Sequence, residues 1–452
     1  MALDAAPRIY PDQDSKSAAL FERAQAFLPG GNSRHSVAGR PYPIYAASGE
    51  GCWLTDVDGQ RYLDCVNNMS ANIHGHRHPA IQGAVFQQLR NLVSVGFPTE
   101  QEIEFAELMC ARAPSVERIR FMNSGTEALM FAVRAARAFT GRSLVARVEG
   151  AYHGAHETLD VSNHPGPEDW GEADAPATVR DNDGFTEGAV ADTLVLPVNR
   201  TEAARRLIET HGRELAAIVI DPLISRMGFL AVAPDYLSML RTETAGRGIV
   251  LIFDEVFSFR LGFAGAQGAV GVTPDLTTFG KIIGGGFPVG ALGGRADIMD
   301  VFSAARGRPL VEHSGTFNAN PVTMAAGMAA MRLLDPEAFA RLDRLGHRLR
   351  DGLDAAITQL GIEAQVQGRG SLWAVLPHRR AITDYRSFHE AMRLSPLAPA
   401  LAALHRGLVN RGVAPIYPAA FVLSTAMAET EIDRIVGAAR GALEDMRTAA
   451  SG

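Results

Sequence analysis

Residues 275–286 read DLTTFGKIIGGG. A β-prone run, Leu276 to Phe279, leads into Gly280 and Lys281, and three consecutive glycines follow at 284–286. Glycines at such a density let backbone and ligand come close. A lysine set among them is a candidate amine for imine formation with a carbonyl cofactor, because desolvation frees its lone pair. On this stretch alone a surface lysine on a flexible loop is the stronger reading. A Walker-type phosphate loop does not fit, because Ile282 follows the Gly-Lys pair where Ser or Thr is needed.

Moving outward, short apolar runs recur at Ile119–Met122, Leu144–Val148, Ala216–Ile220, Gly248–Phe253 and Val289–Leu292, with polar-faced helical segments between several of them. That alternation predicts an α/β fold with a mainly parallel sheet covered by helices. Ligands of such sheets bind beyond the carboxyl ends of the strands. The residues after each run are therefore the informative ones. After the first run comes NSGTEA, with Ser124, Gly125 and Thr126 at a helix start. Free N–H groups and the positive end of the helix dipole favour a phosphate there. Ser124 and Glu127 also read as a capping box, which leaves Gly125 without a purpose. After the second run comes EGAYHG, with Tyr152 and His153; an aromatic there can stack on a flat ring, and a core turn is the alternative. After Gly248–Phe253 come Asp254, Glu255 and Val256. A carboxylate at the end of a buried strand needs a cation or a hydrogen-bonded partner. Downstream, HSGTFNANPV at 313–322 puts Thr316 on a tight loop.

The flanks of the chain fill in the frame. Residues 1–30 read as an arm with a helix at 17–27, and Arg34 follows on a glycine-entered loop. Arg34 suits a bidentate clamp on a substrate carboxylate, or an ordinary solvated loop arginine. Residues 51–66 read as a hairpin turning at Asp58-Gly59. His74, His76 and His78 raise a metal reading, but no thiolate or carboxylate stands beside them, and a structural turn before Pro79 is the default. Helices are expected over 79–95 and 100–113, a long surface loop or lid over 162–192, an amphipathic helix from Pro336, strands at 372–375 and 421–424, and helices over 397–411 and 429–447. The 452 residues carry 47% hydrophobic and 21% charged residues and a net charge of -7. This composition disfavours non-specific nucleic-acid binding. Three cysteines without metal spacing, no signal-like N-terminus and no apolar run of roughly 18 residues lead to a cytoplasmic, non-membrane expectation.

A phosphate-type helix start, an aromatic, a strand-end aspartate and a glycine-flanked lysine together describe a site for pyridoxal 5'-phosphate. In NSGTEA (123–128), YHG (152–154), the IVLIFDEV run ending at Val256, PDLTTFGKIIGGGFPVGALGG (274–294) and HSGTFNANP (313–321), the chain resembles the class III aminotransferases of fold type I. Within the class it most resembles glutamate-1-semialdehyde aminomutases and aminotransferases acting on β-amino acids. The resemblance implies a large domain over 76–320 with the mainly parallel sheet. It implies a smaller α+β domain formed by 321–452 together with the N-terminal segment 1–75. It further implies that Lys281 forms the internal Schiff base and shuttles a proton, and that Asp254 keeps the pyridine nitrogen protonated. Tyr152 and Val256 would sandwich the ring, with His153 beside them. Ser124, Gly125 and Thr126 would hold the phosphate, and Thr316 would reach it from the second subunit of a homodimer with shared sites.

The same resemblance implies two half-reactions that carry an amino group from a small-molecule donor to a keto acid acceptor. Where relatives have Glu-Pro, this chain has Asp221-Pro222. Aminomutases of the group carry a glutamate near the C-terminal strand, and β-amino acid aminotransferases often an arginine; here Tyr417, Pro418 and Ala419 stand there. Arg34, or else Arg260, remains as the carboxylate clamp. An aminotransferase for an amine or β-amino acid is the expectation, with an aminomutase and then a racemase as alternatives.

Overall fold

The computed structural model describes residues 9–305 and 307–451, so the first eight residues of the expected N-terminal arm lie outside the described residues. The arm's helix runs Lys16–Gln25. A seven-stranded sheet forms the centre. From one edge to the other its strands are Arg118–Met122, Gly290–Gly294, Leu276–Gly280, Val250–Asp254, Leu215–Ile220, Leu144–Val148 and Thr193–Leu196. All neighbours are parallel except Gly290–Gly294, which runs antiparallel to both of its partners. The sheet is therefore mainly parallel, as the apolar runs predict. The edge strand Thr193–Leu196 has no counterpart among those runs. It begins two residues after the short helix Glu187–Ala191, where the expected loop ends.

Burial on both faces explains why the strands read as unbroken apolar runs rather than alternating ones. Side chains of a strand point to opposite faces in turn. Ala217, Val219, Val250 and Ile252 pack with the helix Gly125–Thr140 on one side. Ile218, Ile220, Leu251 and Phe253 pack with the helix Pro234–Arg247 on the other. Prolines open the helices Pro79–Leu89, Pro234–Arg247, Pro321–Leu333 and Pro336–Leu360, where the missing N–H costs nothing. Left-handed glycines at 141, 248 and 361 stop three helices.

Beside this body, Ala46–Glu50, Trp53–Asp56 and Arg61–Cys65 form an antiparallel meander. Val413–Pro415 joins Arg61–Cys65 in parallel, so segments about 350 residues apart share one sheet. Gln365–Arg369, Leu372–Leu376 and Ala420–Val422 make a second small sheet. The stripe Leu342, Leu345, Leu349, Leu353 and Ile357 of the long helix is buried in the core it shares with the helix Glu429–Ser451 and the strands Gln365–Arg369 and Leu372–Leu376.

Three expected elements differ in extent. The helix expected over 79–95 stops at Leu89. Gln88 Nε2 donates to Leu92 O at 3.0 Å and turns the chain away, leaving Leu92, Val93 and Phe97 exposed. The helix expected from 397 begins at Leu401, after a 3-10 turn at Ala398–Ala400. Pro399 accounts for this, since it lacks an N–H and constrains the residue before it. The loop 162–192 contains a short hairpin, Gly171–Glu172 with Ala175–Pro176, and the helix Glu187–Ala191. It is pinned: Arg386 donates to the carbonyls of Trp170 at 2.7 Å, Gly171 at 2.9 Å and Glu172 at 3.0 Å, and pairs with buried Glu149 at 3.1 Å.

One contact ties the antiparallel strand to the helix start that faces it. A Cβ on Gly290 would overlap the Ser124 carbonyl oxygen, whereas a Cβ on exposed Gly437, inside the last helix, meets open space. Gly290→Ala is expected to destabilise the protein by roughly 2–4 kcal/mol through forced backbone displacement. Gly437→Ala is expected to stabilise it by up to about 1 kcal/mol through helix propensity. Thermal unfolding midpoints of the two variants check the opposite signs.

Candidate active site

The carboxyl ends of the central strands open into a cleft of about 520 Å³. Its lining includes Ser124, Gly125, Thr126, Tyr152, Asp254, Val256 and Lys281, together with Arg34. Six of the sequence-predicted cofactor positions and the predicted lysine thus converge on one cavity. Asp254 ends its strand, and the parallel register sets it beside Thr278, three residues before Lys281. Register alone therefore brings the acid and the amine to the same end of adjacent strands.

Asp254 is 4% exposed, and its charge is met from several sides. His153 Nδ1 lies 2.8 Å from Oδ2. The Val256 N–H donates to Oδ1 at 3.0 Å, and Thr278 Oγ1 donates to it at 3.3 Å. Burial lowers the pKa of His153, against the raising pull of Asp254. A neutral ring with its proton on Nδ1, facing the carboxylate, satisfies both. Its Nε2 is then a buried nitrogen without a hydrogen-bond partner among the described residues. Asp221, which also lines the cleft, accepts from Leu223 N at 3.0 Å; burial, and then repulsion from Asp254, push its carboxyl up. Burial lowers the pKa of Lys281, while Asp254 and Asp221 oppose the shift. The amine also sits 5.1 Å from the centre of the Phe257 ring. Lys281 itself has a φ of +49°, a left-handed value that a non-glycine residue adopts only where its surroundings impose it.

Gly125 now has a purpose. A Cβ there would come within 2.8 Å of both Val256 methyl carbons, and one on Gly280 within 3.2 Å of Val256. Val256 is thus wedged between the helix start and the lysine strand. Ser124 Oγ accepts from Glu127 N at 3.2 Å and acts as the helix cap. The Gly125 and Thr126 N–H groups precede the first intrahelical bond, so the helix gives them no acceptor. Thr126 Oγ1 accepts from Ala155 N at 3.3 Å. The Tyr152 loop is fixed from below by fully buried Arg147, which donates to Leu159 O at 2.7 Å and to the carbonyls of Ala151 and Val161. Tyr152 is 45% exposed, with Arg226 4.6 Å from its ring centre.

Other expected positions lie elsewhere. Thr316 is exposed and lines a separate surface hollow with Ser94, Val95 and Phe97. Arg260 is not a clamp on the cleft. It is fully buried and donates to Ser371 Oγ at 3.1 Å, to Ser70 O at 3.4 Å and to Leu423 O. Burial pushes its pKa down to about 9. Tyr417 is exposed outside the cleft, with its ring beside His405. His74 bridges Ala330 O and Thr425 Oγ1, both at 2.9 Å, while His76 meets Asp64 at 2.8 Å.

Asn68, Met69, Ser225 and Phe257 also line the cleft, and no motif marks them; Phe287 joins them from the glycine-rich stretch after Lys281. One composition signal was available for the amine: of 43 basic residues only Lys16 and Lys281 are lysines. The residues fit pyridoxal 5'-phosphate. A buried anion is held ready for a ring cation, first-turn amides sit at a helix start, and the glycines there have no room for a Cβ.

Comparison with known proteins agrees. The family profile described as Aminotransferase class-III matches residues 35–425. A glutamate-1-semialdehyde 2,1-aminomutase of Methanothermobacter thermautotrophicus is 43% identical over 371 residues, covering 82% of this chain and 86% of that protein. The crystal structure of an omega-transaminase from Sphaerobacter thermophilus superposes with a TM-score of 0.92 at 44% identity, covering 97% of this chain and 99% of the other. A beta-phenylalanine aminotransferase from Variovorax paradoxus gives a TM-score of 0.84 at 34% identity, covering 97% and 96%. The chain belongs to the class III aminotransferases and is a pyridoxal-phosphate-dependent enzyme of fold type I.

Proposed function

We propose that the chain moves an amino group from an amine or β-amino acid donor to a keto acid acceptor, in two half-reactions at the Lys281 cleft. The observation that carries this reading is the cleft's pairing of a half-buried amine and a buried carboxylate with an arginine, Arg34, at the same cavity. When bound, pyridoxal 5'-phosphate supplies an electron sink and a carbon that stores the amino group between half-reactions.

The chain's own residues do the rest. Lys281 would hold the cofactor through its carbonyl carbon; once the donor's amine displaces it there, the freed Nζ would take the proton from the donor's amino-bearing carbon. Desolvation by the cleft walls favours the uncharged amine this requires. Asp254 would face the pyridine nitrogen and keep its proton in place; a carboxylate already fixed by three donors needs no rearrangement as charge develops. Tyr152 and Val256 would bracket the ring, with His153 orienting Asp254. Ser124, Gly125 and Thr126 would hold the phosphate.

Thr316 would reach the phosphate of a second copy in a homodimer. Exposed Val93, Phe97, Ile103 and Phe317 near that loop support a covering partner. The three free cysteines, two of them buried, fit a reducing, cytoplasmic setting. Arg34 would take the donor's carboxylate, and Met69, Phe257 and Phe287 in the cleft lining favour a donor whose remaining substituent is apolar. The aminomutase alternative rests on the name of the Methanothermobacter relative. A panel of β-phenylalanine, 1-phenylethylamine, alanine and glutamate-1-semialdehyde separates the readings.

Lys281→Ala is expected to lower turnover by at least about 10³-fold and to remove the visible band of the holoenzyme. Normal turnover in that variant would remove the basis of the proposal. His153→Asn, which keeps a donor toward Asp254, is expected to hold the cofactor through dialysis better than His153→Leu, which leaves the buried charge short of one partner. Arg34→Ala is expected to lower kcat/KM for β-phenylalanine relative to 1-phenylethylamine by roughly tenfold or more.

A further inference from the structure

Four consecutive residues at the cleft edge have left-handed backbone: Asn67 at φ +48°, Asn68 at +49°, Met69 at +53° and Ser70 at +81°. Ser70 N closes the turn onto Val66 O at 3.1 Å, and Asn72 N bonds Asn67 O at 2.9 Å. Residues with a Cβ avoid this region, and a run of four needs a cause. Asparagine tolerates it best, which accounts for the first two positions.

The surroundings over-determine the turn. Buried Asp64 accepts from Val66 N and Asn67 N, both at 2.9 Å, and is itself held by His76 at 2.8 Å. Asn67 Nδ2 donates to Asp64 O at 3.1 Å and to Val422 O at 2.7 Å. Arg260, the arginine that does not reach the cleft, donates to Ser70 O. Two buried ionisable side chains and a fully buried asparagine are thus spent on fixing four residues. Asn68 and Met69 project from the turn into the cavity lining. Asn68 Oδ1 accepts from Arg34 Nη1 at 2.9 Å, and no carboxylate among the described residues pairs with Arg34.

We infer that this left-handed turn is a specificity-determining element of the cleft, in which Asn68 is a positioning residue that aims the Arg34 guanidinium at a ligand carboxylate. The inference rests on the reading of Arg34 as the carboxylate clamp. The chemistry favours an amide in this role. A guanidinium on a mobile stem must be held to recognise a carboxylate through two parallel bonds. An aspartate would hold it but would neutralise the charge the ligand needs. The asparagine oxygen occupies one N–H and leaves the cation intact. The buried network beneath the turn keeps that oxygen in place against the preference of its backbone.

The test uses the pyridoxal-phosphate-loaded protein and two non-reacting probes of equal shape, 3-phenylpropionate and 3-phenylpropanamide, titrated by calorimetry. The readout is the ratio of their affinities. Asn68→Gly removes the oxygen while easing the backbone, so it tests the contact without strain; it is expected to lower the carboxylate-to-amide ratio about five- to tenfold. Asn68→Asp is expected to lower it at least as far, by neutralising Arg34. In an Arg34→Ala background neither change is expected to lower the ratio further. If Arg34→Ala lowers the ratio but Asn68→Gly does not, the positioning role is wrong and the clamp stands. Equal weakening of both probes by Asn68→Gly would mean a merely structural turn and would also overturn the inference. If the wild type shows no preference for the carboxylate, or Arg34→Ala keeps it, the clamp fails and the inference with it.

Discussion

A carboxylate at 4% exposure, ending the strand next to the one that leads into a half-buried amine, is the constraint from which the rest of this structure follows. Each group alone would be costly so far from water. Held at the end of one strand and just past the end of its parallel neighbour, they offset one another while leaving space between them for a cationic ring. The parallel register makes this geometry robust, because both side chains leave the sheet at its carboxyl end. His153, Thr278 and the Val256 amide then fix Asp254 as an acceptor that does not move.

Close approach is the second requirement, and small residues meet it. Gly125 and Gly280 admit Val256 between a helix start and the lysine strand, and Gly290 lets the antiparallel strand pass the Ser124 carbonyl. A Cβ at Gly125 or Gly290 would force Val256 or the Ser124 carbonyl aside, and one at Gly280 would crowd Val256. The glycines thus fix the spacing between the helix start at Gly125 and the amine.

Much of this was legible in the chain itself. Unbroken apolar runs imply a sheet buried on both faces, and the residues after each run are the cleft residues because strand ends meet there. Asp254, Lys281, Tyr152 and the 124–126 turn could therefore be read locally. Arg260 could not: its sequence context resembles a loop arginine, while its partners, Ser70, Ser371 and Leu423, come from segments far apart in the chain. Asn68 and Met69 were silent for a related reason. Their part in the cleft depends on positive backbone angles imposed by Asp64 and Arg260, which propensity does not report. The helix end at Leu89 was misjudged because apolar residues continue past it, although they face outward.

The scarcity of lysine permits a direct test of the central claim. Only Lys16, exposed in the first helix, competes with Lys281 for the cofactor's carbonyl. Reduction of the loaded protein with borohydride, followed by peptide mass mapping, fixes the cofactor to whichever side chain carries it. The cofactor mass is predicted on the peptide containing DLTTFGK. Its appearance on the Lys16 peptide, or on neither, would contradict the account.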